Sequence, residues 1–152
     1  MMSDEQFVEL MGQLFERDGV TRIAGRIFGR LLLSPDAMGL DELASSLQVS
    51  KGSVSTNTRL LERMGLTERL TYPGDRKDYY QISQAGHESW LEMRMRRIQA
   101  TRSLLSQGLA TPSAEDPRIR ERLQGFDSFF ESLIEVMARA RDALRRDRGA
   151  AS

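Results

Sequence analysis

The chain has 152 residues, which suits one domain or a small domain with an oligomerisation element, and its 22 basic residues balance 22 acidic ones. It has no cysteine, which excludes disulfides, thiolate zinc sites and thiol redox switching, and no apolar run approaches the length of a membrane span. The start, MMSDEQFVELMGQ, is acidic and then amphipathic rather than signal-like, so a cytoplasmic protein with no membrane partner is expected.

A first helix is predicted over residues 3–17, where Phe7, Leu10, Met11, Leu14 and Phe15 share one face. Asp18-Gly19 ends it. A second helix is expected from about Val20 to Leu33, with Ile23, Ile27 and Leu31 in one row and Ala24, Phe28 and Leu32 in the next. Gly25 and Gly29 lie four apart, where missing side chains let another helix approach. Arg22, Arg26 and Arg30 form a charged ridge, read as a solvated face in preference to a nucleic-acid contact.

Ser34-Pro35-Asp36 stops this helix. Leu40, Leu43, Ala44 and Leu47 give the buried face of a two-turn helix, and Val49 in the next turn is expected to plug the gap between paired helices. Ser50 is a good N-cap for a helix reaching about Met64, with Val54, Leu61 and Met64 inward and Gly65 as its stop. Leu66–Tyr72 and Tyr79–Ser83 alternate as strands, and Pro73 to Asp78 carries the turn chemistry between them. At least one of Tyr79 and Tyr80 is expected to pack beneath this hairpin.

The pattern becomes helical again from Gln84 to about Leu109, followed by a loop from Gly108 to Pro117. The last helix has the longest periodic signal: Ile119, Leu123, Phe126, Phe130, Leu133, Met137, Ala140 and Leu144 alternate steps of four and three. Such a seam packs against other helices, as in a coiled coil. An antiparallel packing of the last two helices within the chain and a packing between subunits both account for it. The tail, Arg145 to Ser152, is expected to fray.

Zero net charge taken alone argues against a nucleic-acid partner, but the distribution does not. Acids crowd the start, whereas Lys51, Arg59, Arg63, Arg69, Arg76 and Lys77 fall between residues 50 and 78. Phosphate binding depends on local contacts, not on whole-chain charge. In a helix-turn-helix the early outward residues of the second helix reach base edges, here Lys51, Gly52, Ser53, Ser55, Thr56 and Arg59. Arg59 is the best candidate for a bidentate guanine contact, which discriminates by roughly 1–3 kcal/mol. Asn57 lies nearer the inner edge, where it is equally suited to cap or brace the helix. Arg76 and Lys77 sit at a hairpin tip that can reach an adjacent minor groove, with Asp75 or Asp78 available to hold Arg76 by an ion pair.

Taken together, VTRIAGRIFGRLLLS, LDELASSLQVSKGSVSTNTRLLERMGL and PGDRKDYY resemble the GbsR-like branch of the MarR family of winged-helix transcriptional regulators. The resemblance is densest from Val20 to Gly86, and its most specific pieces are SKGSVSTN and PGDRKDYY. Asp75-Arg76 matches the family's wing Asp-Arg pattern, whose Arg characteristically enters the minor groove. Ser83-Gln84-Ala85-Gly86 looks like the family's exit from the wing into the long helix. The resemblance implies a mainly α fold: a winged helix-turn-helix with a two-stranded wing at residues 34–83, N-terminal helices at 1–33 and C-terminal helices at 84–148. It also implies a homodimer on double-stranded DNA, more readily a repressor than an activator. Its interface would include Phe7, Leu10, Leu14, Ile119, Leu123, Phe126, Phe130, Leu133 and Met137. Two-fold symmetry would set recognition helices about 10–10.5 base pairs apart, or a multiple of that.

Many relatives bind a small effector between the dimer helices and the DNA module, and some GbsR-like ones respond to choline. A quaternary ammonium needs aromatic faces. Trp90 is the preferred marker of such a pocket and Phe126 a second one, although aromatics, like Met93 and Met95, usually serve as core. His87, the sole histidine, reads as a surface or capping residue, not a metal ligand. Nothing resembles a catalytic constellation, and no cofactor is implied. The competing readings are a winged-helix protein-interaction module, disfavoured by the basic, hydroxyl-rich helix face, and a constitutive regulator without effector.

Overall fold

A computed structural model describes residues 1–150, which divide into two compact units, Met1–Gly86 and the residues from His87 onward. The first unit opens with α1 (Asp4–Arg17) and α2 (Arg22–Leu32). Ser3 and Gln6 close a reciprocal capping box at the start of α1, and Thr21 caps α2 through the Ala24 amide. The face α1 buries differs from the one its apolar stripe predicts. Val8 and Gly12 are buried, while Leu10 and Leu14 are about half exposed, at 51% and 50%.

Glycine explains this difference. A Cβ at Gly25 would lie 2.5 Å from the Met11 carbonyl oxygen and 2.8 Å from the Gly12 Cα, and one at Gly12 would meet the Arg26 Cγ at 2.7 Å. The two backbones touch where side chains are missing, so α1 turns its glycine side inward. Gly25 and Gly29 therefore admit a neighbouring helix as expected, and that helix is α1.

Next come β1 (Met38–Gly39), α3 (Leu40–Leu47), α4 (Lys51–Arg63), β2 (Thr67–Leu70) and β3 (Tyr79–Ile82). The short β1 was not expected. It pairs antiparallel with β3, Met38 opposite Tyr80, and makes a three-stranded sheet in the order β1-β3-β2. Two residues are too few to show alternation, so nothing in the local pattern marks them. The wing strands are shorter than predicted, in register Thr67 opposite Ile82 through Leu70 opposite Tyr79. Gln48, in the left-handed region at φ 54°, makes the turn between α3 and α4. The core holds Ile27, Leu43, Val54 and Leu61 from three helices with Tyr80 from beneath the wing, and Val49 packs against it.

The second unit contains the long helix α5 (Gly86–Gly108), a 3-10 turn at Pro112–Glu115 and α6 (Pro117–Ala150). The expected loop thus contains a turn, which buries Ala114 completely. Ion pairs join opposite ends of the two helices, which run antiparallel as one of the two sequence readings anticipates. Arg102 of α5 grips Asp127 at 2.8 Å and Glu131 at 3.1 Å. Near the other end, Glu88, only 7% exposed, meets Arg145 and Arg148 of α6, each at 3.2 Å. Ion pairs thus link this hairpin near both ends, and α6 has no buried residue. Among the described residues, no helix is long and apolar enough to cross a membrane.

Candidate nucleic-acid interface

The N-terminus of α4 is built by hydroxyls. Ser50 Oγ accepts from the Ser53 amide at 3.1 Å and donates to Ser53 Oγ at 3.0 Å. This leaves Lys51 and Gly52 exposed on the first turn, with Thr56 and Arg59 exposed further along and Ser53 and Ser55 half-buried at the edge. Val54, Asn57, Thr58 and Leu61 form the opposite, buried face. Asn57 resolves to a brace: its amide donates to the Ser53 carbonyl at 2.8 Å, and its side-chain oxygen accepts from the Thr21 hydroxyl at the start of α2. Arg59 folds back along the outer face to donate to Ser55 Oγ at 2.6 Å.

The wing tip is held by Asp75. Its carboxylate accepts from the Lys77 amide at 2.9 Å and from the Tyr79 hydroxyl at 2.7 Å, while Gly74 takes φ 82° to make the turn. The Tyr79 hydrogen bond, then the Lys77 amide, keep this carboxyl below the ordinary carboxylate range, and the same bond pushes the Tyr79 phenol upward. The Tyr72 ring meets Tyr79 edge-on, with centroids 5.1 Å apart. Neither acid holds Arg76 as the sequence suggested. Asp75 is committed to the tip's own backbone and to Tyr79, and Asp78 faces Arg69 at 3.6 Å. Arg76 and Lys77 project exposed from the braced loop.

One cleft of about 370 Å³ joins the two predicted contact regions, with Lys51 on one side and Arg76 and Lys77 on the other. Asp41, Glu42, Asp78 and Tyr79 also line it. The Lys51 ammonium lies 2.8 Å from the Asp41 carboxylate, and that contact, with Lys77 adding through space, holds the Asp41 carboxyl below its usual range. Sequence reasoning did not single out this acid, because no periodicity marks a partner from another helix. The arginine ridge of α2 is partly internal: Arg22 and Arg26 pair with Glu9, and Arg26 donates to the Leu47 carbonyl at 2.9 Å.

The predicted interface residues remain largely uncovered. Leu10, Leu14 and Phe126 are exposed, and Phe7, Ile119, Leu123, Phe130, Leu133 and Met137 are half-buried. Phe126 stacks beside Phe130 at 6.4 Å. Trp90 is 39% exposed, and the Arg94 guanidinium sits 4.9 Å from its ring centroid, on the face a quaternary ammonium would use. The structure does not bring Trp90 and Phe126 together: Trp90's end of the hairpin meets Arg145, which lies ~30 Å along α6 from Phe126. His87 is exposed, and among the described residues no cluster could hold a metal ion.

Residues 30–79 match the profile of the MarR family. The chain is 34% identical over 142 residues to the HTH-type transcriptional regulator MmpR5 of Mycobacterium tuberculosis, spanning 93% of this chain and 84% of that one. A crystal structure described as a transcriptional regulator superposes with a TM-score of 0.76 at 33% identity, over 96% of this chain and 98% of that one. The HTH-type transcriptional repressor GbsR of Bacillus subtilis is 30% identical over 70 residues, 46% of this chain and 38% of its own length. With a mainly helical fold, a small antiparallel sheet and these extended similarities, the chain belongs to the MarR family of winged-helix transcriptional regulators.

Proposed function

We propose that this chain binds a pseudo-palindromic DNA site as a homodimer and represses transcription, with α4 in the major groove and the wing tip in the neighbouring minor groove. The observation that carries the reading is the shared cleft, in which Lys51 from α4 and Arg76 and Lys77 from the wing face one concavity. Gly52, Ser53, Ser55, Thr56 and Arg59 continue that face along α4, where small side chains admit a close backbone and Arg59 reads a base. Residues 34–83 then form the DNA module, and residues 1–33 and 84–148 serve dimerisation. Support for the dimer is the unburied apolar seam of α6 together with exposed Leu10 and Leu14, more apolar surface than a lone chain ordinarily leaves in water.

Repression and a GbsR-like place within the family are finer parts of the proposal. They rest on SKGSVSTN and PGDRKDYY and on the partial match to a protein named as a repressor, whereas the similarity to MmpR5 covers twice as much of the chain. Release by a small-molecule effector draws its support from the family alone, and the Arg94–Trp90 stack speaks against a choline cage at Trp90.

The test is a titration of the full chain against its own upstream intergenic DNA, with unrelated DNA as competitor, alongside Arg59→Ala, Arg76→Ala and Phe126→Glu. Tight, competitor-resistant binding by a dimer is expected. Arg59→Ala should relax specificity at one position, and Arg76→Ala should weaken binding evenly across sequences. Phe126→Glu should shift sedimentation toward the monomer. Unchanged affinity in both arginine variants would show that the DNA face lies elsewhere.

A further inference from the structure

We propose that Asp41 is a built-in competitor for DNA phosphate at Lys51, so that docking on any DNA requires Lys51 to exchange one anion for another. The inference rests on the DNA-binding reading above and adds to it a residue that lowers affinity for DNA of any sequence.

Two short-range features create the contact. Asp41 occupies the first turn of α3, where an acid complements the helix dipole, and Lys51 is the first residue of α4, beside the positive end of that helix. The turn through Gln48 brings the two helix starts together and sets Lys51 Nζ 2.8 Å from Asp41 Oδ1. Both side chains are more than three-fifths exposed, at 62% and 63%, so water screens the bridge and it contributes little to stability. A bridge of that kind holds its lysine in the free protein and yields it readily.

The surroundings give the exchange a consequence. In the cleft, the cations Lys51, Arg76 and Lys77 face the acids Asp41, Glu42 and Asp78. The surface that would meet the phosphate backbone is therefore nearly neutral, which matches the zero net charge of the chain. A phosphate taking Lys51 must displace the Asp41 carboxylate and leave it facing a polyanion. That cost applies equally to every sequence. Base-reading contacts along α4, Arg59 among them, lie outside it. Asp41 thus lowers affinity for DNA of every sequence without touching the groups that recognise a particular site, and the carboxylate it frees takes up a cation that offsets one counterion released per subunit.

The experiment uses the full chain with an unrelated duplex and with a duplex of its own upstream intergenic DNA, at roughly 50 and 200 mM salt. Asp41→Asn should bind the unrelated duplex about 3–10-fold more tightly at the lower salt, with the slope of log affinity against log salt steeper by about 0.9 per subunit. Asp41→Ser, which also suits a helix start, should behave alike if Asn disturbs the turn. Glu42→Gln removes a neighbouring charge that holds no lysine, and should shift affinity far less. In a Lys51→Met background, the gain from Asp41→Asn should shrink to that of Glu42→Gln, the remainder due to charge repulsion alone.

Unchanged or weaker binding by Asp41→Asn and Asp41→Ser overturns the exchange. So does an equal gain in Glu42→Gln, or a gain that survives Lys51→Met undiminished, since either would mean a general charge effect. If those results come with losses in Arg59→Ala and Arg76→Ala, DNA binding stands and the exchange alone falls. If neither wild type nor Asp41→Asn binds either duplex, both readings fall together.

Discussion

The Thr21 hydroxyl at the N-cap of α2 donates to the side-chain oxygen of Asn57 on α4, and the Asn57 amide in turn donates to the Ser53 carbonyl one turn earlier. A buried asparagine thereby ties the helix that carries the proposed DNA face to the scaffold behind it. Thr21 performs a second task at the same atom, accepting from the Ala24 amide at 3.1 Å. Asn57→Ala should destabilise the fold by about 1–3 kcal/mol, because it removes a buried side chain together with both of its hydrogen bonds. Urea denaturation measures this, and an unchanged midpoint would mean that the α2–α4 link has no energetic weight.

Glycine substitutions should act in opposite directions in two places. A Cβ at Gly25 meets backbone at 2.5 Å, so Gly25→Ala should cost about 1–3 kcal/mol by forcing α1 away from α2. At Gly52 the nearest atom is Ser50 Oγ, 4.0 Å away, so Gly52→Ala should stabilise α4 by about 0.5–1 kcal/mol. The same methyl stands on the face proposed for DNA and should weaken DNA binding. Thermal unfolding and a binding titration on one pair of variants separate the two effects.

The wing tip has a pH window set by its two partners. The Asp75 carboxyl is lowered in the folded chain, so its contribution is present above the ordinary carboxylate range and lost as pH falls through the lowered value. The Tyr79 phenol is raised, so its contribution is present below the ordinary tyrosine range and lost as pH rises through the raised value. Between these limits the tip should stay braced. NMR titration of Asp75 in wild type and Tyr79→Phe checks it: removing the hydroxyl should move the Asp75 midpoint upward.

In the second unit, Glu88 is the buried acid between two arginines of α6. Glu88→Ala should destabilise that hairpin by about 1–3 kcal/mol, since it leaves Arg145 and Arg148 facing each other without a shared anion. Hydrogen exchange at the start of α5 and the end of α6 should speed up, while the Arg102 end keeps its protection. Equal loosening at both ends would mean that the hairpin opens as one body.

The helices of this fold were legible because each carries a 3.6-residue apolar period, and the wing because PGDRKDYY concentrates turn chemistry between two alternating stretches. The buried side of α1 was not legible. Hydrophobic periodicity weighs side chains, and this contact is made by Gly12, Gly25 and Gly29, which have none. The outward face of α4 could be read from Lys51 to Arg59, whereas Asp41 and the Tyr79 hydroxyl could not, because their partners come from a separate helix and across the wing tip. In α6 the seam was plain and its occupant was not. A stripe shows that something must cover it, and the period alone does not say what.

The glycine contact between α1 and α2 also determines how the first unit can move. Backbones that meet at van der Waals distance cannot slide past one another without collision, so any movement of the pair would be as a single lever. Leu10 and Leu14 form its outer handle, and Thr21, beyond the turn, is its bearing on Asn57. A push on the handle would therefore reach α4 through Asn57, at the turn that carries the proposed DNA face.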